Sequence, residues 1–161
     1  MENVLALHSL SKRSNLPGFR SGCAAGDASI IAAFSKYRMF HGVSVPLPIQ
    51  NASTLAWADD QTVEDNRAAY AEKFNLAEEI LDNDSLTPDG AFYLWLKVKD
   101  AEAFTKKLYD EEQVIVLPGK YLGAEDNGQN PAEQYLRIAL VHDIESTTKA
   151  LTSIKKVLDN E

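Results

Sequence analysis

The sequence predicts a protein that mixes helices and strands, of the α+β or α/β class, and three observations lead to this prediction. From Ala91 to Val98 large apolar side chains occupy every second position, which is the period of a strand with one buried face. Between residues 60 and 82 apolar residues recur at helical spacing, and a second such stripe follows Asp143. Helix and strand patterns alternate between these segments, as expected for helices packed over a small sheet.

The sequence of the first third of the chain predicts short secondary-structure elements around an irregular loop. The apolar run Val4–Leu7 is typical of a buried strand, and a loop rich in hydroxyl groups and glycine follows it. Asp27 is placed to cap a helix running from residue 28 to 40. Two prolines exclude regular helix from residue 42 to 48, and the small-residue segment 50–57 is predicted to be helical.

From residue 60 onward the pattern is helix–strand–helix–strand–strand–helix, which indicates an α+β layer. The predicted elements are, in order, a helix over 60–82, a strand over 91–98, a helix capped by Asp100 and ending near Tyr109, a strand over 114–117, a strand over 135–141 and a helix capped by Asp143. We predict two parts, 1–60 and 61–161, with the long helix at their boundary.

Composition excludes several classes of protein. The chain has 161 residues, 45% of them hydrophobic and 25% charged, as in ordinary globular domains. Its formal net charge of −8 argues against nucleic acid or an anionic membrane as the main partner. Cys23 is the only cysteine, so no intramolecular disulfide is possible, and we expect it to be a buried packing residue in a reduced cytoplasm. The three histidines are far apart with no metal-ligand spacing, so no metal site is predicted.

Against this acidic background the loop after the first strand reverses the local charge. No Asp or Glu occurs between Glu2 and Asp27, whereas Lys12, Arg13 and Arg20 all fall in that interval. Serine hydroxyls and glycines accompany these cations. Such a segment is suited to receive an anion.

The spacing of these residues resembles a known signature. Ser9, Ser11, Lys12 and Arg20 are similar to the Ser-x-x-Lys…Arg motif of fold-type I pyridoxal-phosphate enzymes, in particular the class I/II aminotransferases. Within that family, one segment looks most like the succinyldiaminopimelate aminotransferases of bacterial lysine biosynthesis. Its sequence is Ser-Leu-Ser-Lys-Arg-Ser-Asn-Leu-Pro-Gly-x-Arg-Ser-Gly. The resemblance covers essentially the whole chain, but only the C-terminal portion of a complete family member.

The resemblance implies a role for each residue of the motif. Lys12 would form the Schiff base with pyridoxal 5′-phosphate and would then move a proton between the substrate and the cofactor. Ser9 and Arg20 would bind the cofactor phosphate, with Ser11 as a weaker candidate. A lysine by itself is more often an exposed surface residue, and Arg13 is equally consistent with a solvated charge or an interface residue. Arg13 therefore receives no role from the sequence.

Arg137 is the second candidate site residue. In the segment 135–141 the aliphatic side chains share one face, so Arg137 projects from the other. The residues alone leave three interpretations open: an anion-binding arginine, a salt bridge to a nearby acid such as Glu133 or Glu145, or simple exposure at the surface of the sheet. The resemblance implies that Arg137 binds the substrate α-carboxylate. Trp95, the turn around Pro118-Gly119 and Tyr121 also resemble family positions near the substrate entrance.

The resemblance also implies what this chain does not contain. In complete members an earlier segment supplies the aspartate at the pyridine nitrogen, the aromatic residue on the ring and further phosphate donors. Residues 1–60 would be a remnant of the large cofactor-binding domain, and 61–161 the small α+β domain. We expect the chain alone not to be a competent transaminase, whether it is a fragment, one piece of a split enzyme or the result of a misjudged gene start.

The implied function is amino-group transfer between an amino acid and a 2-oxo acid. The resemblance to the succinyldiaminopimelate aminotransferases suggests N-succinyl-2-amino-6-oxopimelate as acceptor and glutamate as donor. It also implies a cytoplasmic enzyme that is a homodimer at full length. No nucleic acid, membrane or metal partner is expected. The alternative is a non-catalytic anion-binding or assembly module derived from the small domain of the family.

Overall fold

A computed structural model describes residues 2–42, 44–83 and 86–160. The chain divides into two compact units, Met1–Arg67 and Ala68–Glu161. The division falls within one long helix, close to the boundary expected from the sequence. The assignment of the two parts to a large-domain remnant and a small domain stays a prediction.

The first unit is built on a hairpin followed by helices. Strand β1 (Leu5–Ser9) pairs antiparallel with β2 (Gly22–Gly26), and the short helix α1 (Leu10–Arg13) and a 3-10 turn (Pro17–Phe19) lie in the connection. Helices α2 (Ala28–Arg38) and α3 (Leu47–Ala58) follow, and α4 (Gln61–Leu81) begins in this unit. Among the described residues of this unit, Leu10 is the one apolar side chain that is fully buried.

The second unit is a three-stranded antiparallel sheet covered by helices. Its sheet has the order β3 (Tyr93–Lys97), β5 (Tyr135–Ala139), β4 (Leu117–Pro118), and its helices are α5 (Ala101–Glu112) and α6 (Ile144–Leu158) together with the second part of α4. The buried faces of these elements form one hydrophobic core. Its fully buried larger side chains are Leu94, Leu108, Leu136, Leu140, Leu151, Ile154 and Val157.

The starts of α2, α5 and α6 follow the sequence closely because each has an aspartate side-chain cap. Asp27 accepts hydrogen bonds from the backbone N–H groups of Ser29 (2.8 Å) and Ile30 (3.3 Å). Asp100 caps α5 in the same way, and Asp143 accepts the N–H of Ser146 at 2.8 Å. These bonds satisfy donors that the first helical turn leaves without an intrahelical partner.

Four details of the first unit differ from the predictions. Strand β2 was not predicted, since its glycines and small residues carry no strand pattern. Gly26 is needed there because a Cβ atom would lie 2.1 Å from the carbonyl oxygen of Val4. Strand β1 is not buried, and Cys23 is exposed rather than packed. Helix α3 begins earlier than predicted because Pro48 falls in its first turn, where a missing N–H breaks no hydrogen bond.

In the second unit the order of elements is as predicted, and one strand is corrected. The predicted strand 114–117 is only two residues long, Leu117–Pro118, and Ile115 is exposed. Pro118 is part of the strand instead of ending it. The strand lies at the edge of the sheet, where proline is tolerated because its nitrogen has no ladder bond to lose.

Candidate functional site

Lys12 lies in α1, a single turn held at both ends by the residues around it. Ser9 caps the turn, since its Oγ accepts the N–H of Ser11 at 3.1 Å. Leu10 is buried beneath the turn, and its N–H donates to the carbonyl of Ser21 at 3.1 Å. Lys12 itself is exposed. The turn therefore presents its amine on the outside of a well-anchored loop.

The candidate phosphate-binding residues lie at the same end of the hairpin. Ser9 is paired with Gly22 in the β1–β2 ladder, two residues beyond Arg20. The hydroxyls of Ser9 and Ser11 are 3.0 Å apart. Arg20 has a left-handed backbone (φ +50°), and its Nη1 donates to the carbonyl of Pro17 at 3.0 Å. The hairpin thus places two hydroxyls at the Lys12 turn, and the chain returns to this end of the hairpin directly after Arg20.

Arg13, to which the sequence assigned no role, is a structural anchor. Its guanidinium donates to the carbonyl oxygens of Ala56 (2.8 Å) and Trp57 (3.3 Å) at the end of α3 and to Asp60 Oδ1 (2.7 Å). Its side chain is 14% exposed, and its Cζ lies 5.4 Å from the centre of the Trp57 ring. Of the two interpretations offered for Arg13, a solvated charge does not describe these contacts, and a role at an interface stays a prediction.

Arg137 lies in the second unit, on the face of the sheet opposite the core. It pairs with Trp95 on β3 and with Leu117 on β4, and its Cζ lies 5.8 Å from the centre of the Tyr93 ring. None of the ion pairs formed within the described residues includes Arg137. The salt bridges to Glu133 or Glu145 that the sequence left open are therefore not made.

Aromatic side chains surround Arg137. A cavity of about 450 Å³ is lined by Tyr93, Trp95, Leu122 and Arg137. The indole of Trp95 stacks on Tyr135, with ring centres 5.5 Å apart and planes 13° apart. Gly119 permits this arrangement, because a Cβ atom there would lie 2.8 Å from the tip of the indole. A guanidinium with an apolar, aromatic surround suits the carboxylate of an organic acid.

Tyr121 is not one of these lining residues. Its hydroxyl donates to Glu102, which also accepts from Lys120. These two hydrogen bonds, that of Lys120 first, lower the pKa of Glu102, and the same contact with Glu102 raises the pKa of Lys120. The cluster joins the start of α5 to the turn after β4. Its immediate role is to hold that turn.

The donor set of the hairpin fits a phosphate ester that carries an aldehyde. The guanidinium of Arg20 and the hydroxyls of Ser9 and Ser11 match a dianion, Lys12 supplies a primary amine, and residues 3–26 contain no carboxylate side chain. In the described parts of the chain no group of three potential metal ligands occurs, and no helix is long and apolar enough to cross a membrane. The hairpin is thus a candidate site for an organic phosphate, and the arginine-bearing sheet is a candidate site for a carboxylate.

The chain belongs to the family of class I and II aminotransferases, whose model matches residues 1–154. The cofactor of this family is pyridoxal 5′-phosphate, and its substrates are amino acids and 2-oxo acids. This confirms the resemblance drawn from the residues around Lys12. The mixed helix and strand architecture agrees with part of the fold of such enzymes.

Individual relatives show how much of such a protein this chain represents. It is similar to an aminotransferase from Neisseria meningitidis Z2491, with 44% identity, a TM-score of 0.91, and coverage of 98% of this chain and 41% of the other. A probable N-succinyldiaminopimelate aminotransferase from Thermus thermophilus matches with 27% identity, a TM-score of 0.81 and coverage of 98% and 42%. An LL-diaminopimelate aminotransferase from Maridesulfovibrio salexigens is 29% identical over 161 residues, 96% of this chain and 40% of its own length. The chain spans about two fifths of the length of these relatives.

Proposed function

We propose that this chain contributes the lysine, part of the phosphate site and the carboxylate-binding arginine of a pyridoxal-phosphate-dependent aminotransferase. The observation that carries the proposal is the end of the hairpin, because Ser9, Ser11, Lys12 and Arg20 all lie in this one segment, which has no acidic side chain. Family membership supports the same reading.

Each residue has a role that follows from its chemistry. When bound, pyridoxal phosphate supplies an aldehyde that reacts with amines and a conjugated ring that withdraws electrons from the substrate α-carbon. Arg20 and Ser9 would bind its phosphate, with Ser11 adding a hydrogen bond. The Lys12 amine would hold the aldehyde at rest and, once displaced by the substrate, would take the proton from the substrate α-carbon. Arg137 would bind the substrate α-carboxylate through two of its guanidinium nitrogens.

We further propose N-succinyl-2-amino-6-oxopimelate and glutamate as the substrate pair. The amino-acid sequence of the Lys12 loop supports this substrate pair, as does similarity to a probable N-succinyldiaminopimelate aminotransferase and to an LL-diaminopimelate aminotransferase. A cytoplasmic location and a homodimer of the full-length enzyme belong to the same proposal.

Spectroscopy of the purified chain with added pyridoxal phosphate tests the cofactor role. We expect a change in visible absorbance that Lys12→Ala abolishes and that the control Lys36→Ala, at an exposed lysine of α2, retains. A protein whose spectrum never changes, but which binds inorganic phosphate or self-associates, would support the non-catalytic module instead.

The role of Arg137 is tested by the effect of its replacement on substrate binding, because the cofactor residues are instead expected to affect cofactor binding. We expect Arg137→Ala to leave the cofactor spectrum unchanged and to raise the glutamate concentration needed to perturb it by about 10- to 100-fold, the loss expected for a hydrogen bond to a charged group. Arg67→Ala, which removes a surface ion pair with Glu64, is the matched control. Equal glutamate dependence in both variants would refute the role of Arg137.

A further inference from the structure

The turn that carries Lys12 is too short to be stable by itself. Helix α1 has four residues, and one helical turn costs more conformational entropy than its few hydrogen bonds return. Side-chain contacts elsewhere in the first unit must therefore fix where the turn lies. These contacts converge on α3.

The strongest of them is the guanidinium of Arg13, the residue directly after Lys12. Besides its bonds to Ala56, Trp57 and Asp60, it donates to Ser14 Oγ at 3.2 Å and to the Asp59 carbonyl at 3.4 Å. The carbonyl groups at the end of a helix have no intrahelical partner and carry the negative end of the helix dipole, so they favour a cation there. One arginine thus satisfies the end of α3 and ties it to the Lys12 turn.

A second contact holds the other end of the same loop. The hydroxyl of Ser53, on α3, donates to Ser21 Oγ at 2.8 Å, and both side chains are buried. Ser21 also accepts the N–H of Leu10 through its carbonyl. The loop from residue 9 to 22 is therefore attached to α3 at Arg13, directly after Lys12, and at Ser21, whose carbonyl also holds Leu10, two residues before Lys12.

We infer that Arg13 is a positioning residue for Lys12: by joining the lysine turn to the C-terminal end of α3, it sets the place of the Lys12 amine relative to Ser9 and Arg20. This inference rests on the proposed function, because the position of the amine matters only if it must meet the aldehyde of a phosphate bound by those residues. Arg13 itself touches neither cofactor nor substrate in this scheme.

Chemical trapping measures that position without an activity assay. The Lys12 amine and the aldehyde of pyridoxal phosphate condense with loss of water, and borohydride then adds a hydride to the carbon while solvent supplies the proton. The product is a stable secondary amine that peptide mass spectrometry assigns to individual lysines. The quantity measured is the ratio of label on Lys12 to label on Lys36, an exposed lysine of the same unit.

We expect Arg13→Ala to lower this ratio by about tenfold, since a displacement of about 1 Å between reacting groups can cost as much as 10²-fold. The labelling ratio of Arg13→Lys should fall between those of Arg13→Ala and the wild type, because an ammonium keeps the charge but cannot donate to several acceptors in one plane. Asp60→Asn removes only the charge of a side chain that is 90% exposed, so it should leave the ratio within about twofold. Arg67→Ala should leave it unchanged.

The outcomes separate this inference from the proposed function. A wild-type chain that labels Lys12 no more than Lys36 would overturn the proposed function and this inference together. A wild-type preference for Lys12 that persists in Arg13→Ala, with only the thermal midpoint lowered, would overturn the inference alone. If Arg13→Ala does not fold, as judged by circular dichroism, a wild-type ratio in folded Arg13→Lys overturns it equally.

Discussion

At the scale of single residues, Arg20 combines a charged side chain with an unfavourable backbone. Its φ of +50° places it in the left-handed region, which costs a residue with a Cβ about 1–2 kcal/mol. The conformation ends the 3-10 turn, and the N–H of Arg20 donates to the carbonyl of Pro17. A glycine would suit this backbone better, so the side chain is the reason to expect arginine here. Such strain is typical of functional sites.

Replacement of Arg20 by glycine should therefore separate binding from stability. We expect the affinity for pyridoxal phosphate to fall by about 10- to 100-fold through the loss of charge-assisted hydrogen bonds. The free energy of unfolding should change by less than about 1 kcal/mol, because relief of backbone strain offsets the higher entropy of unfolded glycine. Absorbance titration and thermal unfolding measure the two quantities.

Asn15→Gly is the matched control for this prediction. Asn15 is also left-handed, with φ +52°, but its side chain donates to Asn66 Oδ1 rather than facing an anion site. Cofactor affinity in this variant should equal that of the wild type. A loss of affinity as large as that of Arg20→Gly would show that the loop backbone, and not the guanidinium, determines binding.

At the scale of elements, aspartate caps make helix stability depend on pH. The pKa of Asp27 is lowered to about 2, chiefly by the hydroxyl hydrogen bond from Ser29, with backbone N–H groups of Asn3, Ser29 and Ile30 adding to it. A carboxyl whose pKa is lower in the folded state stabilises that state above its unfolded pKa, near 4. This contribution is lost as pH falls toward 2. The first turn of α2 should therefore become less stable as pH falls from about 4 to about 2.

Asp27→Asn tests this dependence, because asparagine is also a good cap but has no charge to lose. We expect the variant to have a lower thermal midpoint than the wild type at pH 7, and the difference to shrink as pH falls from about 4 to about 2. Asp143→Asn, at the start of α6, should show the same direction, since the N–H and hydroxyl of Ser146 lower the pKa of Asp143. A difference that stays constant down to pH 2 would contradict the linkage.

At the scale of the whole molecule, the two units differ in how much apolar surface they bury. Seventeen buried residues form the core of the second unit, whereas Leu10 is the one fully buried apolar side chain among the described residues of the first. Burial of apolar surface is the dominant stabilising contribution to folding. Local stability should therefore be uneven along the chain.

Native-state hydrogen exchange should reveal this difference. We expect the backbone amides of β1 and α2 to exchange faster than those of β5 and α6, because the side chains of β5 and α6 form part of the hydrophobic core. Leu151→Ala should destabilise the second unit by about 2–5 kcal/mol and raise exchange in β5 and α6 specifically. Equal protection of both units in the wild type would contradict the interpretation.

The sequence by itself determined the family, the Lys12 motif and the order of elements in the second unit. These features are local: a charge reversal, caps at fixed positions and alternation along one strand are properties of neighbouring residues. The same holds for Arg137, whose side of the strand follows from its aliphatic neighbours. The roles of Lys12, Ser9, Ser11, Arg20 and Arg137 stay predictions until the variants are measured.

Only the tertiary structure decided the role of Arg13, the existence of β2 and the stacking of Trp95 on Tyr135. The Arg13 contacts join residues 43 to 47 positions apart, and the indole is 40 positions before its partner. Strand β2 forms because small residues can lie against β1, not because they favour a strand. Contacts of this kind depend on how distant segments fold together, and no local period in the sequence encodes them.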